Sequence, residues 1–166
     1  MKTAIIGAGI SGSSLACLLD NVKIFERSVH AGGRSSSKRL STGEVFDIGA
    51  TVFKDSILYK ENKKEENFNL LEFLKTYAPD LEIQKHPTYP NAYFPLKGMQ
   101  SVCQELLKNK KIFFEHNLES ITKSESMKEW TLKFSNGHSE NFARVILTSP
   151  IPQIISSLKT SGIMSV

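Results

Sequence analysis

The sequence has few residues of the kinds that build metal centres or disulfide frameworks. It contains two cysteines, Cys17 and Cys103, in 166 residues, and neither belongs to a CxxC pair or another metal-binding spacing. We therefore expect no metal site and no disulfide framework, a cysteine usage typical of the reducing cytoplasm. Cys17 lies in an apolar run, where a free cysteine behaves as a small buried hydrophobic side chain.

Long apolar runs and dense charge of one sign are also lacking. No stretch is long enough to cross a membrane, and glycines interrupt the apolar N-terminus, which is unlike a signal peptide. The net charge is +4, from 21 Lys and Arg against 17 Asp and Glu, but the basic groups are short and mixed with acidic or polar residues. A nucleic-acid surface needs denser clustering. We expect a cytoplasmic domain without nucleic-acid or membrane partners.

A strand, turn, helix and second strand open the chain. Residues 2–6 predict the first strand, residues 10–19 the helix and residues 22–25 the second strand. A strand connected to the next through a helix pairs with it in parallel and with a right-handed crossover. The predicted fold class is therefore α/β, with a Rossmann-like parallel sheet.

The turn in this unit, GAGISG, matches G-x-G-x-x-G at Gly7, Gly9 and Gly12. The first glycine allows a tight turn, the second allows close approach of a pyrophosphate, and the third allows the helix to pack on the strand. Free N–H groups at the helix start, including those of Ile10 and Ser11, then face the phosphates. The alternative is an α/β domain whose glycines only shape a turn.

An acidic residue ends the second strand, as dinucleotide sites require. Glu26 lies about twenty residues beyond the first glycine, where a carboxylate accepts hydrogen bonds from the adenosine ribose. We predict that Glu26, its neighbour Arg27 and Ala8 in the glycine turn belong to this dinucleotide site.

A second glycine pair and an arginine follow in IFERSVHAGGRSSS. This segment resembles the GGR motif that follows the ribose acid in FAD-binding oxidoreductases of the amine oxidase superfamily. The resemblance implies that Gly33 and Arg34 contact the FAD pyrophosphate and ribityl chain, and guanidinium is a strong bidentate phosphate partner. The alternatives are a flexible surface loop with a solvated Arg34, or an NAD-binding domain without flavin, against which this motif argues.

Three later segments extend the resemblance. FDIGATVF looks like a segment of renalase-like flavoproteins that passes beside the flavin, which implies contacts from Asp47, Gly49 and Ala50. Residues 114–121 resemble the strand that lines the adenine pocket, with Leu118 as the expected contact. VILTSP resembles a strand end packed near the cofactor, with Ser149 as the expected contact.

The resemblance implies a discontinuous, incomplete FAD-binding domain at residues 1–53 and 98–150. It is of the GR2 type, a parallel sheet with a β-meander or hairpin insert, and residues 54–97 and 151–166 form part of a substrate domain. Family members continue into a Gly-Asp motif that these 166 residues do not contain, and Thr51-Val52 stands where renalase-like enzymes often have Gln-Tyr. We interpret the chain as a fragment, a split-gene product completed by a second chain, or a degenerate relative.

The implied activity is hydride transfer from a small reduced substrate, a dihydronicotinamide or an amine, to flavin and then to oxygen. The alternative is a non-catalytic FAD-binding or nucleotide-binding module. No catalytic acid or base is predicted, because the histidines are isolated in sequence: His30, His86, His116 and His138. Of these, His30 is the candidate for phosphate contact and His86 for catalysis. The aromatic residues of the presumed substrate region are expected to form core rather than a flavin-facing pocket: Tyr89, Tyr93 and Phe94.

The rest of the chain is predicted to be mixed helix and strand. Helices are expected at residues 70–77, 98–107 and 153–158, and strands at residues 112–115, 130–134 and 144–148. Asn136-Gly137 predicts a hairpin turn. Less regular structure is expected elsewhere: a loop with at most one helical turn at 27–43, an exposed excursion at 55–69, irregular strands at 83–96, and no pattern at 160–166.

Overall fold

The computed structural model describes residues 1–61, 64–124 and 128–163. In chain order, the strands are β1 (Thr3–Ile6), β2 (Val22–Phe25), β3 (Ser37–Arg39), β4 (Val45–Asp47), β5 (Phe53–Lys54), β6 (Ser56–Glu61), β7 (Lys64–Asn69), β8 (Ile83–Lys85), β9 (Ala92–Pro95), β10 (Ile112–Phe113), β11 (Leu118–Ser124), β12 (Glu129–Phe134), β13 (Ser139–Phe142) and β14 (Arg144–Leu147). The helices are α1 (Ile10–Leu18), α2 (Leu70–Tyr77), α3 (Gln100–Leu106) and α4 (Ile151–Thr160).

A parallel sheet in the order β10-β2-β1-β14 separates two cores. Ile5 and Ile24 face α1 and α3, where Cys103 is also buried. Ile6 and Phe25 face the antiparallel sheet β11-β12-β13 on the opposite side. Because successive residues of a strand point to opposite faces, β1 and β2 each supply both cores, which explains their largely apolar sequences.

The junction between the parallel sheet and the antiparallel sheet is aromatic and charged. The Phe25 ring stacks on Phe134, with ring centroids 4.5 Å apart. At the edge of this cluster, Glu140 Oε1 accepts from Lys2 Nζ at 2.6 Å and from Lys23 Nζ at 2.5 Å. Burial alone would raise the pKa of Glu140, but these hydrogen bonds lower it from 4.5 to about 2. The carboxylate therefore stays ionised and joins the two sheets.

A smaller group of elements lies between β4 and α3 in the sequence. It contains α2, the sheet β5-β9-β8 and the antiparallel pair β6-β7. The Asn69 side chain accepts the Glu72 N–H at 3.0 Å and so caps α2. Phe73 and Leu74 of α2 pack with Leu106 of α3. Assignment of this segment to a substrate domain stays a prediction.

The structure differs from the sequence-based prediction mainly in the polar segments. Residues 27–43 are not only loop, because β3 pairs with β4 and a 3-10 turn precedes them at Gly33–Ser35. The predicted excursion at 55–69 is the pair β6-β7, although residues 62 and 63 and the side chains of 57–67 lie outside the description. Helix α4 begins at Ile151, two residues early, because Pro152 is tolerated in a first helical turn.

Smaller differences concern the bounds of elements. The helix predicted at 98–107 is α3, which begins two residues later, and the strand predicted at 112–115 ends at Phe113. The strand expected at 114–121 begins only at Leu118 and continues to Ser124. The hairpin at Asn136-Gly137 is confirmed, since β12 and β13 pair on either side of it. Residues 164–166 of the predicted patternless end lie outside the described residues.

Candidate functional site

The glycine turn joins β1 to α1 at the carboxyl end of the parallel sheet. Gly12 is buried, and a Cβ placed there would lie 1.9 Å from the Gly7 carbonyl oxygen, so the helix packs directly on the turn. At Gly9 the nearest atom to an added Cβ is the Gly32 oxygen at 3.8 Å. Gly9 faces a cavity, and no side chain caps α1. The first N–H groups of α1 are therefore available to an anionic ligand.

Glu26, at the end of β2, is held by two backbone donors. The Ala8 N–H donates to Glu26 Oε2 at 2.8 Å, and the Ser28 N–H donates to Oε1 at 2.9 Å. The residue is 7% exposed and still lines the cavity. A carboxylate oxygen accepts more than one hydrogen bond. Each Glu26 oxygen therefore retains capacity for a ligand hydroxyl while the backbone fixes its position.

The second glycine pair lies directly beside the glycine turn. Gly9 and Gly32 form an isolated parallel bridge, and the Gly32 N–H donates to the Ala8 carbonyl at 3.0 Å. Arg34 is exposed, lines the same cavity, and has no hydrogen-bond or ion-pair partner for its guanidinium within the described residues. The loop thus brings an unpaired cation to the cavity that α1 opens onto.

The segment after β4 crosses this loop. A Cβ at Gly49 would lie 1.9 Å from the Arg34 carbonyl oxygen, and the Ala50 N–H donates to that oxygen at 2.9 Å. The close approach that the sequence predicted at Gly49 is therefore made to the Arg34 backbone, and flavin contact stays a prediction. Asp47 Oδ1 accepts from Ser37 Oγ at 2.6 Å and from the Met99 N–H at 2.7 Å. Its carboxylate joins β4 to the start of α3.

The last side of the cavity comes from the C-terminal part of the chain. Leu118 begins β11, and Thr148 and Ser149 follow β14. The Thr148 hydroxyl lies 2.9 Å from the Ile6 carbonyl oxygen and 3.1 Å from that of Gly7, so it holds the glycine turn. Residues of α4 line the cavity next to them.

Together these segments enclose a cavity of about 1360 Å³. Every predicted cofactor residue lines it except Ala8, Gly12 and Asp47, of which the first two are buried beneath the turn. Direct cofactor contact by any of these residues stays a prediction. The volume exceeds the range of about 300–1,000 Å³ that is usual for small-molecule pockets, so an extended ligand fits.

Sequence reasoning missed several residues that line the cavity: Gly32, Ser35, Ser36, Ser37, Gln100, Asn117, Thr148, Pro150, Gln153 and Ile154. Gln100 shows why. Its Nε2 donates to the Ala31 carbonyl at 2.8 Å, and its N–H donates to Ser37 Oγ at 3.0 Å, across more than sixty residues of sequence. No local sequence pattern predicts such a contact. Gly32 and Thr148, in contrast, lie inside motifs that the sequence analysis had identified, and could have been included.

The histidines separate into two kinds. His30 and His116 line the cavity. His86 instead holds its own loop, because its Nδ1 accepts the N–H groups of Thr88 and Tyr89 at 3.2 and 3.1 Å. This bonding gives His86 a structural role, and nothing in the described residues places it in the cavity.

Cys103 is buried, whereas Cys17, which the sequence predicted to be buried, is only half-buried. Burial raises the pKa of the Cys103 thiol to about 11, a direction that Glu26 reinforces although a hydrogen bond with Ser13 opposes it. Burial likewise raises the pKa of Cys17. Both thiols are therefore protonated and poorly nucleophilic at neutral pH.

Residues 1–61, 64–124 and 128–163 contain no group of three or more His, Cys, Asp or Glu side chains able to hold a metal ion. None of the helices in these residues is long and apolar enough to cross a membrane.

Comparison with known proteins places this geometry among dinucleotide-binding folds. The family model of the NAD(P)-binding Rossmann-like domain matches residues 5–75. The 4,4'-diapophytoene desaturase (4,4'-diaponeurosporene-forming) of Staphylococcus aureus (strain bovine RF122 / ET3-1) is 29% identical over 125 residues, which cover 73% of this chain and 22% of that protein. Wild-type putrescine oxidase bound to putrescine has 13% identity and a TM-score of 0.58, over 90% of this chain and 58% of that one.

A triple mutant of putrescine oxidase, from a redesign of cofactor binding, has 14% identity and a TM-score of 0.60 over the same shares of the two chains. At this identity the likeness establishes the fold, and the predicted α/β Rossmann-like class is confirmed. The chain spans 22% of the desaturase and 58% of the oxidase.

Proposed function

We propose that the chain forms the dinucleotide-binding part of an FAD-dependent oxidoreductase. One observation carries the proposal. The glycine turn, Glu26 and the loop bearing Arg34 line a single cavity, so groups suited to a pyrophosphate and to a ribose face the same space. A plain NAD site does not require the loop of Gly32 to Arg34, whose proximity to the turn is fixed by the Gly9–Gly32 bridge.

The residues present fit FAD. Gly9 leaves open the space that a Cβ would fill, and the uncapped N-terminus of α1 lies beside it. The Arg34 guanidinium, which has no partner in the part of the chain that the structure describes, supplies the positive charge that a pyrophosphate needs. The Glu26 carboxylate, held by Ala8 and Ser28, is positioned to accept bonds from ribose hydroxyls.

Each residue set has a separate task in this proposal. FAD, when bound, supplies the capacity to accept a hydride. The turn and α1 bind the pyrophosphate, Arg34 neutralises it, and Glu26 orients the ribose. Thr148 fixes the turn through the Ile6 and Gly7 carbonyls, so that the N–H groups are in place before the cofactor binds.

We propose two candidate substrate classes. FDIGATVF resembles a renalase-like segment, which supports oxidation of a small dihydronicotinamide. The fold neighbour putrescine oxidase has been solved bound to the diamine putrescine, which supports an amine as the second candidate. Both candidates are small reduced molecules that give up a hydride.

We also propose that catalysis needs polypeptide beyond these 166 residues, either continuous with them or supplied by a second chain. The support is that both relatives named above extend well past the matched region. A non-catalytic FAD-binding module is the second candidate function, supported by the same observation. Turnover of dihydronicotinamides or amines by the 166-residue chain alone would contradict the need for more polypeptide.

The first test is a visible absorption spectrum of the purified chain, before and after addition of FAD and desalting. We expect flavin bands to be retained, and titration with NAD to give much weaker binding. A chain that stays colourless and shows no FAD binding by calorimetry would refute the proposal.

Arg34→Ala tests the assignment of the site. We expect FAD affinity to fall by about tenfold, because a charge-assisted contact to phosphate is worth about 1.5–3 kcal/mol. Arg39→Ala is the matched control, since the Arg39 guanidinium donates to the Gly43 carbonyl at 3.0 Å and Arg39 does not line the cavity. Equal affinities for the two variants would show that Arg34 is not a cofactor residue.

A further inference from the structure

The cavity continues past Glu26 between β11 and α4. The His116 N–H donates to the Glu26 carbonyl at 2.9 Å, which ties the ribose-binding residue to the segment that leads into Leu118. Helix α4 lies against β11, since the Ile121 N–H donates to Ser161 Oγ at 2.7 Å and Leu158 packs on the cluster that contains Ile121. A base attached to a ribose at Glu26 therefore enters the space between these two elements.

Gln153 is the residue of α4 with the strongest recognition chemistry in this space. Its backbone is engaged, because its N–H donates to the Pro150 carbonyl at 2.9 Å and its carbonyl accepts from Ser157 Oγ at 3.1 Å. Its side-chain amide, half-buried and lining the cavity, has no partner within the described part of the chain. A donor and an acceptor are thus presented together at the cavity surface.

Asn117, next to Leu118, also lines the cavity with an amide side chain, but it is exposed, whereas Gln153 is half-buried on the helix. The remaining apolar and hydroxyl groups on this side do not offer that combination. Leu118 and Ile154 are apolar, and the hydroxyl of Ser157 is already committed to the Gln153 carbonyl. An amide side chain is complementary to one edge of adenine, where its oxygen accepts from the N6 amino group and its nitrogen donates to N7. Hypoxanthine presents two acceptors at the same edge, which an amide cannot match.

We propose that Gln153 reads the base of the bound dinucleotide and makes the site selective for adenine. The inference rests on the proposed FAD site and adds a base-reading residue to it. Leu118 supplies the apolar surface under the base, and Gln153 supplies the discrimination. The sequence does not point to Gln153, because this residue lies beyond the recognised motifs, just after Pro150 and Pro152.

The test compares ADP with IDP, which differ only at the base, by calorimetry on the 166-residue chain. We expect the wild-type chain to prefer ADP by about tenfold, as one bidentate amide–adenine pair is worth about 1–3 kcal/mol. Gln153→Met, which keeps the length of the side chain but removes both hydrogen-bonding atoms, should lose most of that preference. Gln104→Met is the matched control, since Gln104 is an exposed helical glutamine of α3 outside the cavity.

Each outcome decides a different point. If the chain binds FAD and ADP but does not prefer ADP to IDP, the base-reading role is refuted and the FAD site is not affected. The same holds if the preference for ADP over IDP survives in Gln153→Met. Absence of both FAD and ADP binding overturns the proposed function and this inference together. A preference lost in Gln153→Met and kept in Gln104→Met, with unchanged circular dichroism in both, supports the inference.

Discussion

Gly9 and Gly12 belong to one motif, but replacing each with alanine should have different effects: at Gly12 on stability and at Gly9 on cofactor binding. At Gly12 the new Cβ would lie 1.9 Å from the Gly7 oxygen and 2.9 Å from Thr148 Oγ1. The first contact is with backbone and is far inside van der Waals range, so α1 must move away from the turn. We expect Gly12→Ala to lower the free energy of unfolding by about 3 kcal/mol, at the upper end for overpacking.

At Gly9 the methyl group meets only the Gly32 oxygen at 3.8 Å, an ordinary contact. The backbone there, with φ −79° and ψ −175°, is extended and open to any residue. Gly9→Ala should therefore leave stability unchanged or raise it by up to about 1 kcal/mol, because alanine has less freedom in the unfolded chain. The same methyl projects into the cavity, and we expect FAD affinity to fall at least about tenfold, or 1.4 kcal/mol.

Urea unfolding of both variants without cofactor, followed by FAD titration of the folded proteins, separates the two effects. The expected pattern is Gly12→Ala unstable and Gly9→Ala stable but weak in FAD binding. If Gly9→Ala bound FAD as tightly as the wild-type chain, Gly9 would not face the pyrophosphate and the phosphate site would be wrongly placed. A stable Gly12→Ala would refute the close contact between α1 and the turn.

Three further predictions concern stability and reactivity. Glu140→Gln should lower the free energy of unfolding by about 1 kcal/mol at pH 7. The pKa of Glu140 is depressed in the folded state, so this difference in stability should vanish as the pH falls from about 4.5 to 2. A urea midpoint that differs from that of the wild type equally at pH 7 and at pH 3 would contradict this expectation. Cys103 should resist iodoacetamide at pH 8 in the folded chain and react after denaturation, as followed by mass spectrometry, because burial raises its pKa to about 11. Thr148→Val should lose about 1 kcal/mol of stability that Thr148→Ser retains, since the side chain of Thr148 holds the turn through its hydroxyl. Equal urea midpoints for the two variants would argue against that role.

Local chemistry made the first part of the site readable from the sequence. The glycine spacing, the apolar runs on either side and Glu26 all lie within about twenty residues, and each has its own physical requirement. Strand β1, helix α1, strand β2 and the parallel pairing of the two strands follow from that short segment. The Arg34 loop was recognisable through its motif, although β3 and β4 after it were not, because β3 is polar and each strand has only three residues, too few to show an alternation.

Other parts of the site depended on contacts between distant segments. Gly49 is required by the Arg34 carbonyl, Asp47 by the Met99 N–H, and neither requirement is visible in FDIGATVF itself. The sequence placed both residues near the flavin, but the structure shows that the Asp47 carboxylate joins β4 to α3. A side chain of the right type in a recognised motif therefore does not reveal whether it faces the ligand or the chain.

The sequence by itself determined the glycine turn between β1 and α1, because glycine spacing and strand length act over a few residues. Only the tertiary structure decided which side chains surround the rest of the cavity. Gln100, Thr148 and Gln153 reach it because the parallel sheet brings the ends of β1, β2 and β14 to one edge, and because α4 packs along β11. That packing follows from burial of apolar faces across the whole chain, which no short motif encodes.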